Sequence, residues 1–345
     1  MVQGLFDAEI WKTDPGSRLL SLNDGDAAAG GRLRLWSAGD FLPGLQGYML
    51  GQAHSGTALP EEEGKEGQMQ TGIEQAFLRY TLKGATRLVI EGGKFTTPVG
   101  DFSDRYLSSQ NPLIGTPDSY TVAYPYGVKM SGWAGPVDYR AALVDQPMVN
   151  EGYVPESGRA WRPVVGAGVT PVQGLRLGAF YTFGPYLGPE VESALPTGSR
   201  WRDFEEAVVG FETQFSRGHF ELRGEFTHSR YDAPTGGPSV RGQAFYLEPK
   251  YTFTPRVFAA LRLEQNEYAY ISLMSWGWLV SEATFVDAEA CLGWRLAPGA
   301  ILKVSYRRDR WDVDESLKSI LPDGYALAAQ LSYSFDVISW FERPR

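Results

Sequence analysis

The sequence predicts an all-β fold: a transmembrane antiparallel β-barrel of about sixteen strands. Three observations predict it. Short segments alternate apolar and polar residues with a period of two. The connections between them alternate strictly between tight turns and long loops. The strand count is even, with both termini on the tight-turn side. A helical membrane protein is excluded, because no stretch reaches the roughly 18 consecutive apolar residues of a spanning helix; Ile271 to Val280 is interrupted by Ser and Gly. Disorder is excluded as well, since 18 Phe, 18 Tyr and 10 Trp are spread along the whole length.

In chain order the strands fall at 4–12, 31–41 and, after the Pro43-Gly44 turn, 45–52; then at 70–82 and, beyond Lys83-Gly84, 86–95. They continue at 122–133 and, beyond Gly135-Pro136, 137–146; at 162–170 and, beyond Pro171 to Gln173, 174–183; and at 204–215 and, beyond Arg217-Gly218, 219–228. The last five are 239–253, 257–266 after Thr254-Pro255, 284–296, 300–309 after Pro298-Gly299, and 324–336. Four show the alternation most plainly. Phe220, Leu222 and Phe226 alternate with Glu221, Arg223 and Glu225. Val257, Ala259, Leu261 and Leu263 stand against Arg262 and Glu264. Val286, Ala288, Ala290, Leu292 and Trp294 oppose Asp287, Glu289 and Arg295, and Tyr325, Leu327, Leu331, Tyr333 and Phe335 oppose small or polar residues. Gly and Pro in the tight turns supply the backbone angles that such reversals need. The other connections, 13–30, 53–69, 96–121, 147–161, 184–203, 229–238, 267–283 and 310–323, are long.

Sixteen strands enclose a space too wide for side chains to fill, so the inside is wet. The apolar faces therefore meet lipid, including lipopolysaccharide, and the closed ladder leaves no backbone group unpaired there. By parity Arg79, Arg140, Arg176, Glu221, Arg223, Glu225, Arg262 and Glu264 belong to a lumenal wall of mixed charge with a slight basic excess. Pairs such as Arg223 with Glu212 and Lys250 with Glu264 are expected across neighbouring strands. Tyr80, Trp133, Phe215, Phe253, Trp294 and Phe335 lie near tight turns or the last strand's end, as an aromatic girdle requires. The domain organisation is a single barrel over 1–336, with 337–345 as a periplasmic tail.

The longest connection, 96–121, is expected to fold into the lumen. Pro98, Pro112 and Pro117 lower its entropy of ordering. Tyr106, Leu107, Leu113, Ile114 and Tyr120 offer apolar anchors, and Ser103, Ser108, Gln110 and Asn111 offer polar groups for its backbone. Asp101, Asp104, Arg105 and Asp118 would then form the constriction, opposite Arg79 or Arg140. An outer lid is the alternative course.

Other chemistry finds little material. A net charge of −9 argues against nucleic acid. The single Cys291 and the three residues His54, His219 and His228 exclude a disulfide framework and leave no metal or cofactor site in prospect. Glu61-Glu62-Glu63 and Asp312, Asp314 and Glu315 lack calcium-loop spacing and read as solvated loop faces. His228 with Ser229 shows no third orienting group, so no enzyme is expected. Segment 267–283, with Ile271, Leu273, Met274, Trp276, Trp278, Leu279 and Val280, is too apolar for a freely solvated loop. Either its strands continue above the membrane, or it contacts a neighbouring subunit or partner protein. The sequence opens without the basic and apolar regions of an export signal, which bacterial outer-membrane placement would require to have been removed.

Leu331-Ser332-Tyr333-Ser334-Phe335 resembles the aromatic-ended last strand by which outer-membrane barrels are recognised for insertion, although Asp336 to Arg345 follow it. Gly92 to Gly100, reading Gly-Gly-Lys-Phe-Thr-Thr-Pro-Val-Gly, is similar to the Gly-Lys/Arg…Pro-x-Gly segment of the phosphate-selective porin O and P type family. That resemblance implies a sixteen-stranded trimeric porin whose third loop enters the channel, stable to heat in detergent. It does not extend to phosphate selectivity, because 96–121 lacks the family's ladder of arginines and lysines. The function expected is passive diffusion of small hydrophilic solutes or ions. The other reading is a structural barrel with a plugged lumen that docks a partner through 267–283 or the tail.

Overall fold

The alternating segments close on themselves. A computed structural model describes residues 1–14, 27–55, 68–82, 87–117, 122–148, 154, 157–313, 318 and 323–338. Its strands are β1 (Val2–Thr13), β2 (Ala27–Leu42), β3 (Leu45–Ser55), β4 (Met69–Leu82), β5 (Arg87–Lys94), β6 (Tyr126–Ala134), β7 (Val137–Val144) and β8 (Arg162–Val172). The second half comprises β9 (Leu175–Pro185), β10 (Glu205–Arg217), β11 (Phe220–Tyr231), β12 (Val240–Thr254), β13 (Val257–Met274), β14 (Gly277–Ala297), β15 (Ala300–Asp312) and β16 (Gly324–Asp336). Each pairs antiparallel with its neighbours in sequence, and β1 pairs with β16 from Gln3 opposite Asp336 to Thr13 opposite Ala326, which closes the barrel.

Parity sorts the two faces as the alternation requires. Phe6, Ile10, Leu78, Phe211, Leu261, Leu263, Leu331 and Tyr333 are exposed on the outside, while Asp7, Glu91, Glu212, Arg262 and Glu264 are buried on the inside. A closed barrel with an apolar exterior and charged interior satisfies its backbone internally and suits a bilayer. Leu261 lies about halfway along the roughly ten residues a tilted strand needs to cross the hydrocarbon. Leu261→Arg is therefore expected to destabilise the barrel by about 2–4 kcal/mol, and Glu221→Gln on the lumenal face by much less. Equal unfolding midpoints for the two variants in lipid would reverse the assignment of faces.

At the seam, the Phe335 ring lies over Gly4 of β1, where a Cβ would come within 2.3 Å of the ring. At Gly93 the chain takes φ +136° as it leaves β5 for the crossing loop, and a Cβ there would meet the Ala76 carbonyl at 2.3 Å. Only glycine makes that exit without strain.

Two expectations change, and of the two readings of 267–283 the continuation of its strands above the membrane is the one observed. Strands β13 and β14 continue as a paired ribbon to Met274 opposite Gly277, so 267–283 contains a two-residue turn, Ser275-Trp276, and no long loop. Its apolar side chains are covered by the chain's own outer segments: Ala269 and Ile271 pack with Tyr186, Leu187, Val191, Phe204, Tyr231 and Val240, with Leu273, Trp278 and Val280 at the edge. Trp278 also donates to the Ala194 carbonyl, and only the tip keeps an exposed Met274 and Trp276. Trp133 leaves the girdle, because it registers with Arg87 on the face shared by Lys129 and Glu91, and the Arg87 guanidinium rests on its ring. Finally β6 begins at Tyr126, since 122–125 instead accompany the loop back, with Phe95 N donating to the Pro125 carbonyl and Thr97 N to that of Ala123. The Lys83-Gly84 turn, Glu61 to Glu63, Asp314, Glu315 and 339–345 of the tail lie outside the described residues.

Candidate functional site

Segment 96–117 crosses the lumen and is fastened at both ends to the wall. Its apolar root comes first: Phe95 and Val99 pack against Phe77, Val144, Val164, Phe180 and Val208, all turned inward. Two consecutive backbone donors then meet two wall glutamates. Gly100 N donates to Glu212 (2.9 Å) and Asp101 N to Glu225 (2.8 Å). Glu212 and Glu225 lie directly opposite each other on β10 and β11. Like charges so placed repel, and the loop amides and nearby arginines offset that repulsion.

The middle of the loop is held by charge. Asp101 accepts from Arg223 (2.7 Å), Gln214 (2.5 Å) and Arg105 (3.1 Å), and Arg105 reaches Glu248 at 2.6 Å. Tyr106 accepts from Gln75 (3.1 Å) and donates to Glu74 (3.3 Å). Burial, reinforced by Glu74, pushes its hydroxyl up to about 12, so it keeps its donor proton. Ser108 Oγ donates to Asp7 at 2.5 Å. At the far side Lys303 Nζ donates to the carbonyls of Ser108 (2.9 Å), Asn111 (3.1 Å) and Leu113 (2.8 Å). Ile114 N and Gly115 N both donate to Glu289 Oε1 (3.1 Å each), and Arg262 bridges Glu289 (2.9 Å) and the Gly115 carbonyl (3.2 Å). Leu113 packs on Ala260 and Cys291, a small lumenal residue as its parity suggests.

Beside the loop lies a cavity of about 330 Å³, lined by Asp104, Arg105, Gln110 and Pro112 of the loop and by Glu221, Arg223, Glu248 and Lys250 of the wall. On another part of the wall Glu212 sits between Arg140 (2.6 Å) and Arg176 (2.7 Å), Arg176 clamps Asp138, and Glu91 sits between Arg79 and Lys129 (2.6 Å each).

The four loop residues expected at the constriction separate into different roles. Asp101 and Arg105 are buried and spent on anchoring, while Asp104 alone faces the water. Asp118 lies outside the described residues. The protein mass around Asp104 lifts its carboxyl above the ordinary value despite that exposure; Arg140 and Lys129 pull it down, and Asp101 and Glu212 push it up. Of the wall residues, Arg79, Arg140, Arg176, Glu221 and Arg223 keep contact with water, whereas Glu225, Arg262 and Glu264 are sealed beneath the loop. The pairings also change: Arg223 takes Asp101 in place of Glu212, and Lys250 takes Glu221 (2.7 Å), directly opposite it in register, in place of Glu264, which stands beside Arg262. Glu289 and Glu212 lie on polar faces that the alternation marks, but the hold that they and Lys303 have on the loop was not foreseen, for parity names a face and not a partner.

No family model and no curated protein matches the chain. Solved structures do. OmpT of Vibrio cholerae, folded in vitro and described as a trimer form, is 11% identical with a TM-score of 0.59, covering 97% of this chain and 98% of that one. Salmonella typhi OmpF, in complex with daunomycin, is 12% identical with a TM-score of 0.60, covering 97% of each. The anion-selective porin from Comamonas acidovorans is 9% identical with a TM-score of 0.63, covering 97% and 99%. The shared architecture is the sixteen-stranded outer-membrane barrel. At such identities the likeness is one of fold.

Proposed function

We propose that this barrel is a passive channel of the bacterial outer membrane for small hydrophilic solutes or ions, with no enzyme activity, and that segment 96–117 forms its constriction. The observation that carries the reading is the crossing loop itself. It is pinned to β1, β4, β10, β11, β12, β14 and β15, yet leaves a charged, water-filled space on the side of Asp104 and Lys250. Asp104 on the loop side and Arg223 and Lys250 on the wall side set a transverse field across that space. The resemblance of Gly92 to Gly100 to phosphate-selective porins concerns the strand that delivers the loop. Without a basic ladder on the loop, phosphate is not the preferred solute. A homotrimer fits the trimeric form described for OmpT, and band shifts of unheated protein in detergent are expected to reveal one stable to heat.

Purified protein in a planar bilayer should give discrete conductance steps. Silent membranes containing demonstrably folded barrel would favour the second reading, a plugged structural barrel that docks a partner through the exposed Met274 and Trp276. Asp104→Asn is expected to move the reversal potential under a salt gradient towards anion preference. The carboxyl's raised value means that cation preference is present above it and fades as pH falls through it, at higher pH than for an ordinary aspartate. Asp104→Asn should abolish that pH dependence, and a variant retaining the wild-type pH profile would remove Asp104 from the constriction.

A further inference from the structure

The lumenal ion pairs are unequal, and the inequality is sorted along the pore. Towards the short turns cations are in excess. Arg79 and Lys129 share the single Glu91, and Arg295 adds a guanidinium resting on Phe258, while Arg140 and Arg176 are balanced by Glu212 and Asp138. Towards the long loops carboxylates are in excess. Glu248, Glu264 and Glu289 surround Arg262, Asp287 and Asp309 share Arg307, and Asp7 and Glu74 share Arg34. Pairs such as Lys250 with Glu221 and Arg162 with Glu206 cancel. The sorting follows position: Arg79, Arg140, Arg176 and Arg295 stand within three residues of the short-turn ends of their strands, Glu264, Asp287, Glu289 and Asp309 seven or more residues from theirs.

Resting on the channel reading, we infer that this axial charge step makes the pore a rectifier, passing more current when the long-loop side is positive. With that polarity cations enter through the acidic half and anions through the basic half, so both accumulate at the junction and raise conductance. The opposite polarity draws both away and depletes it. A singly charged solute must always pass one half of its own sign, so the step favours zwitterions, whose two ends match the two halves.

Single-channel current–voltage curves in symmetrical KCl test this. At about 0.1 M, where the Debye length is about 10 Å, the currents at opposite polarities should differ roughly twofold; at about 1 M, where it is about 3 Å, the curve should become linear. The double variant Arg79→Gln, Arg295→Gln should conduct with a current ratio near one at the lower salt. A linear curve for the native channel at low salt overturns the charge step while leaving the channel intact. Rectification unchanged in the double variant overturns the assignment to the short-turn cations. Folded protein that never conducts overturns the channel reading and this inference with it.

Discussion

Deletion of residues 103–116 is expected to raise single-channel conductance roughly two- to fourfold, because a sixteen-stranded barrel is wide and the loop is what narrows it. The barrel should survive. Its strand pairing is continuous around the ring and uses no group from the loop. The loop's partners, Lys303, Glu289 and Glu248, would be left facing a wider aqueous lumen and not a dry core, so water replaces the lost hydrogen bonds. Conductance and the mobility of unheated protein in detergent gels should be read together. A folded deletion variant with native conductance would place the constriction elsewhere.

The second large effect concerns Arg262. This guanidinium is fully buried, donates to Glu289 and the Gly115 carbonyl, and lies 3.6 Å from Glu248 and 3.7 Å from Glu264. Arg262→Met leaves three glutamates facing one another without their shared cation. Breaking buried pairs of this kind costs about 3 kcal/mol or more, and the loop's exit, tied to the same Glu289, should loosen with it. Arg262→Lys should recover only part of the loss, because one ammonium cannot serve several carboxylates in the planar arrangement that arginine offers. Thermal unfolding in detergent micelles measures the first effect, and open-channel current noise the second. An Arg262→Met protein as stable as the native one would mean that water or bound cations already neutralise the three glutamates.

The barrel was legible in the sequence because its physics is local. Alternation at period two names the two faces of a strand, and Pro-Gly turns name its ends; strand positions such as 45–52, 300–309 and 324–336 needed no more than that. The β13–β14 ribbon was harder, because Ile271, Leu273 and Trp278 are apolar on a segment beyond the membrane. The reason, packing against Tyr186, Val191 and Phe204, is separated from them by many residues in sequence. The site was legible only as a region. Proline content and length pointed to 96–121, but Asp101 and Asp104, three residues apart, have opposite fates, one locked to Arg223 and Arg105, the other in water. Trp133 shows the converse limit: its place near a turn suggested lipid contact, while parity with Lys129 already placed it inside.

The anchoring of the crossing loop dictates an order of assembly. Its partners come from both ends of the chain, Asp7 in the first strand and Lys303 in the fifteenth, the latter some 190 residues from the carbonyls it binds. Those partners share one lumen only after β1 has met β16. Until then the loop has half a binding surface, and fixing it early would incur the entropy of closing a very long chain segment. Docking of the loop is thus the last event of folding and a reporter of completed closure. A fluorophore attached near Asn111 should become immobile only after the seam has zipped, and protease added during refolding should cut 103–116 in every intermediate that still has an open edge.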